Sequence, residues 1–243
     1  RKYSDYSDQK AGYYISEFHP EFAAYTDLKP GDILYLSTTG DVLEGTIDGY
    51  YVNLDDMIGG GAVFYATLKV PKKNLLENYE VLLCSSAPGV TKLNRRGVTN
   101  KDMKEDFKKY ILPLLKGLKT VGDDGVETTL KNIKDTEIKV FEGSFTGKGK
   151  DEFLVGVTIR NDFTNYTNLI YVMDSDGKII NEFAPIVKNS FYYSDIYAVV
   201  DIDKDGVYEL ITNDGYYEGG SYNLQKFDGQ KLVVKTSGFM FGV

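Results

Sequence analysis

From Tyr13 to about Gly97 the apolar and polar positions follow a pattern that predicts strands. Asp32–Leu36 and Val42–Ile47 are partners on either side of Thr38-Thr39-Gly40-Asp41, a polar, glycine-containing hairpin turn. Tyr50–Leu54, Ala62–Val70 and Tyr79–Cys84 are further strand candidates, with Pro71, Asn74, Pro88 and Gly89 as punctuation. The pattern then changes to a helical one. Met103, Phe107, Tyr110, Ile111, Leu114 and Leu118 fall on one face of a helix, while Lys101, Glu105, Lys108 and Lys109 lie largely elsewhere. Thr99 or Asn100 can cap its start and Gly117 can end it; Pro113, lacking an amide hydrogen, is expected to kink or shorten it. The apolar face is expected to pack on a sheet. Beyond the loop Gly122-Asp123-Asp124-Gly125 the chain reads as β to its end.

The predicted fold class is therefore mainly β. A polar leader over residues 1–12, expected to be flexible, precedes an N-terminal β-rich region at 13–98, a helix at 99–119 and β structure at 126–243. Composition supports this: 20 Tyr, 13 Phe and 25 Gly against 6 Pro and no Trp suit pleated, half-buried surfaces and tight turns. The 243 residues suffice for one large domain or two small ones.

Charge narrows the function. A formal net charge of −8 with no basic stripe disfavours nucleic acid and anionic membrane surfaces as partners, and favours cations. No apolar run reaches the length of a membrane span. Cys84 is the only cysteine, which excludes an intrachain disulfide; its apolar surroundings predict a small buried side chain. His19 is the only histidine, so neither a Ser–His–Asp triad nor a His/Cys zinc site is expected. Ile58-Gly59-Gly60-Gly61 reads as a turn, because a β-rich run rather than a helix follows it.

One segment carries metal chemistry. Asp201, Asp203, Asp205 and Glu209 stand at positions one, three, five and nine of a loop, and Gly206 permits the bend that turns alternate residues toward a common centre. Calcium takes six to eight oxygen ligands, and position seven commonly adds a backbone carbonyl, here that of Val207. Four carboxylates gathered so closely repel one another unless a cation intervenes. An EF-hand would need a Glu at position twelve and flanking helices; this chain has Thr212 there and strand-like flanks, Ile196–Val200 and Leu210–Thr212.

The segment recurs. Ser144–Leu154 aligns with it, Ser144 at position one and Glu152 at position nine, about 57 residues earlier (201 − 144). Each copy leads into a hairpin with an Asp-Gly turn, Asp176-Gly177 and Asp228-Gly229. Over residues 138–235 the chain thus resembles the FG-GAP and VCBS repeat families, which include integrin-like β-propeller blades. The resemblance implies blade-like antiparallel repeats and a calcium loop made by Asp201, Asp203, Asp205, Val207 and Glu209. In the first copy Ser144 and Thr146 replace carboxylates and Lys148 takes position five, so that copy is expected to bind no metal. A full propeller needs several blades, and two repeats are found.

The expected protein is a non-catalytic, calcium-stabilised β protein acting outside the cytoplasm, with an unknown protein or glycan as ligand. The chain starts at Arg1 rather than Met, and a removed signal peptide, a lipoprotein anchor or a trimmed chain each accounts for that. The alternative is a carbohydrate-active or other hydrolase, for which Asp55, Asp56 and Glu218 are nominal carboxylates. Asn213–Tyr222, rich in tyrosine and glycine beside the loop, reads as a hairpin whose tyrosines can also serve recognition.

Overall fold

The computed structural model describes residues 2–3, 12–24, 26–53, 63–70, 81–95, 98–99, 105–116, 119–121, 127–129, 136–149, 151–160, 166–182, 193–216 and 219–240. The chain divides into two compact units, Arg1–Lys92 and Leu93–Val243.

The first unit is an antiparallel sheet of β1 (Lys2–Tyr3), β2 (Gly12–Ile15), β3 (Ile33–Thr38), β4 (Val42–Asn53), β5 (Val63–Lys69) and β6 (Val81–Ser85), in the order β1-β2-β4-β3-β6 with β5 also on β4. The expected β3–β4 hairpin forms. The Thr38 hydroxyl donates to the Asp41 carbonyl at 2.7 Å and accepts from the Gly40 and Asp41 amides. The strands expected at Val42–Ile47 and Tyr50–Leu54 are one continuous strand that shifts register between Ile47 and Gly49. Gly49 is required there: a Cβ would lie 2.6 Å from the Ile15 carbonyl oxygen. Leu34, Leu36, Leu43, Ile47 and Tyr50 form the buried face, each fully buried side chain of this kind stabilising by about 1.5–3 kcal/mol. Cys84 is exposed, which corrects the expectation that it is buried. His19 is half-exposed, with Glu21 at 3.6 Å. Residues 54–62, holding Asp55, Asp56 and the glycine cluster, lie outside the described residues, as do Tyr217 and Glu218.

The second unit begins with β7 (Val98–Thr99), helix α1 (Glu105–Leu115) and the small hairpin β8 (Lys119–Val121)–β9 (Glu127–Thr129). Two antiparallel sheets follow. The first, ordered β13-β12-β11-β10-β7, is built from β10 (Thr136–Gly143), β11 (Glu152–Arg160), β12 (Tyr166–Met173) and β13 (Ile179–Glu182). The second is the meander β14 (Tyr193–Val200), β15 (Glu209–Tyr216), β16 (Gly219–Phe227) and β17 (Leu232–Met240). The repeat is thus a repeat of structure: both loops join paired strands, in registers closing on Gly143↔Glu152 and Val200↔Glu209. The chain is mainly β, in three principal antiparallel sheets and one α-helix among the described residues.

Strand alternation places the first of these sheets between two cores. Val140, Val155 and Tyr171 enter one core with Ile111 and Leu115 of α1; Phe141, Leu154, Ile170 and Val172 enter the other with Ile196, Val199, Leu210 and Phe227 of the second sheet. Neighbouring residues point to opposite faces of a strand, so a run of apolar residues here serves both layers. Gly156 lets the sheets approach, since a Cβ there would meet the Ile196 side chain at 2.8 Å.

The helix packs on a sheet as expected, with two differences. Among its described side chains, those of residues 109–115, Ile111 and Leu115 are buried and Leu114 half-buried, whereas Tyr110 is exposed at the edge of the face and its ring lies over Gly177. It also runs through Pro113 to Leu115; near a helix end, a missing amide costs one bond while the last turn closes, with the Lys116 amide on the Leu112 carbonyl at 3.1 Å. The Met103 and Leu118 positions lie outside the described residues.

Candidate metal centre

The acidic loop occupies residues 201–208 between β14 and β15. Two residues hold left-handed backbone, Gly206 at φ 82° and Lys204 at φ 59°; glycine tolerates this freely, and a side chain does so only at a cost. These bends bring the acidic side chains back over their own amides. Asp201 Oδ2 accepts from the Gly206 amide at 3.1 Å, Asp203 Oδ1 from Asp205 at 3.2 Å, and Asp205 Oδ1 from Val207 at 2.7 Å. Glu209, fully buried, accepts the Ile202 amide through Oε2 at 3.0 Å. Each carboxylate therefore has one oxygen fixed on the loop.

One carboxylate oxygen from each of Asp201, Asp203 and Asp205 lies within 4.8 Å of the others. Two ligands on opposite sides of a calcium ion are about 4.6–5.2 Å apart, twice the Ca–O distance, so this spacing suits an ion held among them. Glu209 is outside that mutual set and joins the group through a residue the loop pattern does not contain. Lys226, on β16, sets its Nζ 2.7 Å from Glu209 Oε1, 3.0 Å from Asp205 Oδ2 and 3.5 Å from Asp203 Oδ2. A cation is thus already seated among these oxygens, and the all-oxygen donor set is the kind that hard cations take. Val207 takes part through its amide, as donor to Asp205.

The electrostatics follow from burial and pairing. Burial pushes the Lys226 pKa down, but hydrogen bonds to Glu209 and Asp205 outweigh it and hold the ammonium above its ordinary range. Burial pushes the Glu209 pKa up, opposed by Lys226 and the Ile202 amide. With the ammonium 2.7 Å away, the ionised pair is the form we assign, since separating it would strand a charge in a buried site. Asp205 is held below the usual carboxylate range, first by the Val207 amide and then by Lys226. Four carboxylates against the Lys226 ammonium leave a formal charge of −3 (−4 + 1) among the facing groups, and −2 once the loop's own exposed Lys204 is counted.

The earlier loop, 144–151, has the same register and different chemistry. Glu152 is buried and accepts the Phe145 amide at 2.6 Å and the Thr146 amide at 2.8 Å through Oε2, with the Thr146 hydroxyl on Oε1. Lys148 is exposed; the carboxylate is held by the loop's own amides and hydroxyl. The two loops touch. The Tyr208 amide donates to the Ser144 carbonyl at 2.8 Å, the Phe145 and Tyr208 rings are 5.9 Å apart, and a Cβ on Gly143 would lie 2.8 Å from the Tyr208 ring.

Beside the acidic loop, the hairpin in Asn213–Tyr222 forms, and Asp214 is buried in a polar network. It accepts the Ser194 hydroxyl, the Asn223 amide and, at 3.3 Å, the Thr212 hydroxyl. These bonds satisfy a carboxylate in the interior and leave it structural.

Sequence reasoning missed Lys226, and hairpin counting could have found it. Seven residues back from Tyr216 stands Glu209 (216 − 7), and seven forward from Gly219, its strand partner, stands Lys226 (219 + 7). Compared with family models, curated proteins and solved structures, the chain matches none.

Proposed function

We propose that the loop Asp201–Glu209 binds one calcium ion and that the ion is structural, neutralising the carboxylates and fixing the hairpin between β14 and β15. The observation that carries this is the convergence of three aspartate oxygens within 4.8 Å on a site with a formal excess of negative charge. Asp201, Asp203 and Asp205 would hold the ion, with the Val207 carbonyl and Glu209 as further oxygen donors. Calcium is preferred to magnesium because its coordination is larger and more tolerant, whereas magnesium demands near-ideal octahedral geometry and keeps its waters. On this reading the molecule is a calcium-stabilised β protein of FG-GAP/VCBS type, non-catalytic, working outside the cytoplasm where calcium is abundant, and recognising a protein or glycan.

Isothermal titration of the metal-free protein tests it. The expected stoichiometry is near one, with calcium tighter than magnesium. Two equivalent sites, or no binding at millimolar calcium, overturns the reading.

A further inference from the structure

Lys226 lies outside the acidic loop, yet its ammonium meets Asp203, Asp205 and Glu209 within 3.5 Å. Two of these contacts use the oxygens left over from the loop's own hydrogen bonds, Asp203 Oδ2 and Asp205 Oδ2, and the third uses the second oxygen of buried Glu209. Two of these carboxylates, Asp203 and Asp205, belong to the triad whose oxygens converge within 4.8 Å. The position is specific to this hairpin. In the first hairpin Phe153 pairs Met173, so the position across from Glu152 is Asp174, which accepts the Asp176 and Lys178 amides of its own turn. A lysine opposite the closing glutamate therefore occurs where the loop is rich in carboxylates, and is missing where the loop satisfies itself.

We infer that Lys226 is a tethered counter-ion that holds the loop folded without metal and must leave when a divalent cation enters, so that it sets the affinity of the site. This rests on the calcium reading above. The two cations compete because they share oxygens, and a dication wins at sufficient concentration because one ammonium leaves most of the charge uncompensated. The loop thereby responds to calcium over a higher concentration range than its four carboxylates alone would set, and it does not collapse when calcium is withdrawn.

Calcium titration of the parent, Lys226→Met and Lys226→Gln tests this, the methionine keeping the apolar stem without the charge. Loss of the competing ammonium should tighten calcium binding about tenfold to a hundredfold. It should also enlarge the difference in melting temperature between calcium and chelator. A third readout needs no variant: amine-specific acylation of the parent, followed by mass spectrometry, should modify Lys226 faster in calcium than in chelator. Binding in the parent that is unchanged or weaker in both variants, or acylation indifferent to calcium, overturns the counter-ion role while leaving the calcium site standing. Binding in neither parent nor variants overturns both. Binding in the variants alone overturns the calcium reading of the parent, and with it the exchange of Lys226 for the metal ion.

Discussion

Two loops in one unit have the same length, the same strand register and a glutamate at the same closing position, and they reach stability by different means. In 144–151 the glutamate is surrounded by donors that the loop itself supplies, two amides and a hydroxyl. In 201–208 the amides are engaged by the aspartates, which leaves several charged oxygens facing one another and a lysine from the neighbouring strand among them. The backbone form of such a loop is thus the same whether or not carboxylates crowd it; what differs is the charge placed on it. The first loop is a frame on which the second leans, through the Tyr208–Ser144 hydrogen bond and the tilted contact of the Phe145 and Tyr208 rings.

The sharpest way to break this comparison is to remove the glutamate of the self-satisfied loop. Glu152→Ala leaves two amide donors without their acceptor in a buried site and should cost about 4 kcal/mol, by the usual penalty for charged hydrogen bonds lost in the interior. Urea denaturation should give the same loss with calcium and with chelator. A loss that calcium restores would mean the first loop also holds metal.

The acidic loop should behave in the opposite way. With free calcium about a hundredfold above its dissociation constant, the parent gains about 2.7 kcal/mol. Asp203→Ala should lose most of that gain, which four thermal melts check, parent and variant each with calcium and with chelator. Equal melting temperatures under all four conditions would remove the structural role of the ion.

A smaller effect probes the contact between the loops. Gly143→Ala sets a methyl group 2.8 Å from the Tyr208 ring, which must shift; overpacking of this kind costs about 1–3 kcal/mol. Because Tyr208 belongs to the acidic loop, calcium affinity should fall although no ligand has changed. Titration calorimetry on the folded variant reads this, and an unaltered affinity would show that the loops are energetically independent.

The smallest effect concerns the far turn of the second sheet. Asp228 accepts the Lys231 and Gln230 amides at 2.9 Å each, and these bonds hold its pKa below the ordinary 3.8. A carboxylate with a depressed folded pKa contributes stability that is fully present above its unfolded pKa and lost as the pH falls through the folded one. Asp228→Ala should therefore lower stability slightly at neutral pH, and its difference from the parent should close as the pH falls from neutral through the acid range, which flattens the acid limb of the stability curve. Denaturant melts across that window check the sign.

Much of this was legible in the chain. The β3–β4 hairpin, the helix on a sheet, the recurrence of the loop and the carboxylate spacing of Asp201–Glu209 all depend on residues close in sequence. The misses share a different character. Cys84 stands in an apolar run but is exposed, because alternation tells which residues share a strand face and not whether that face is covered. Tyr110 and Leu115 exchanged places on the helix because a 3.6-residue period leaves the edge of an apolar stripe undefined until a sheet meets it. Pro113 was tolerated because it falls in the last turn, a boundary that periodicity alone did not locate.

What the sequence determined by itself is therefore the local chemistry: bends at Lys204 and Gly206, aspartates reaching amides two to five residues away, and a glutamate closing each loop. These are short-range, set by covalent geometry and the reach of a side chain. Only the tertiary structure decided which charge faces the carboxylates and which loop supports the other. Strand register brought Lys226 to Glu209, and the packing of one sheet on the next set Tyr208 against Gly143. Such pairings depend on the whole sheet settling into a single register, because only then do side chains distant in sequence share one face at contact distance.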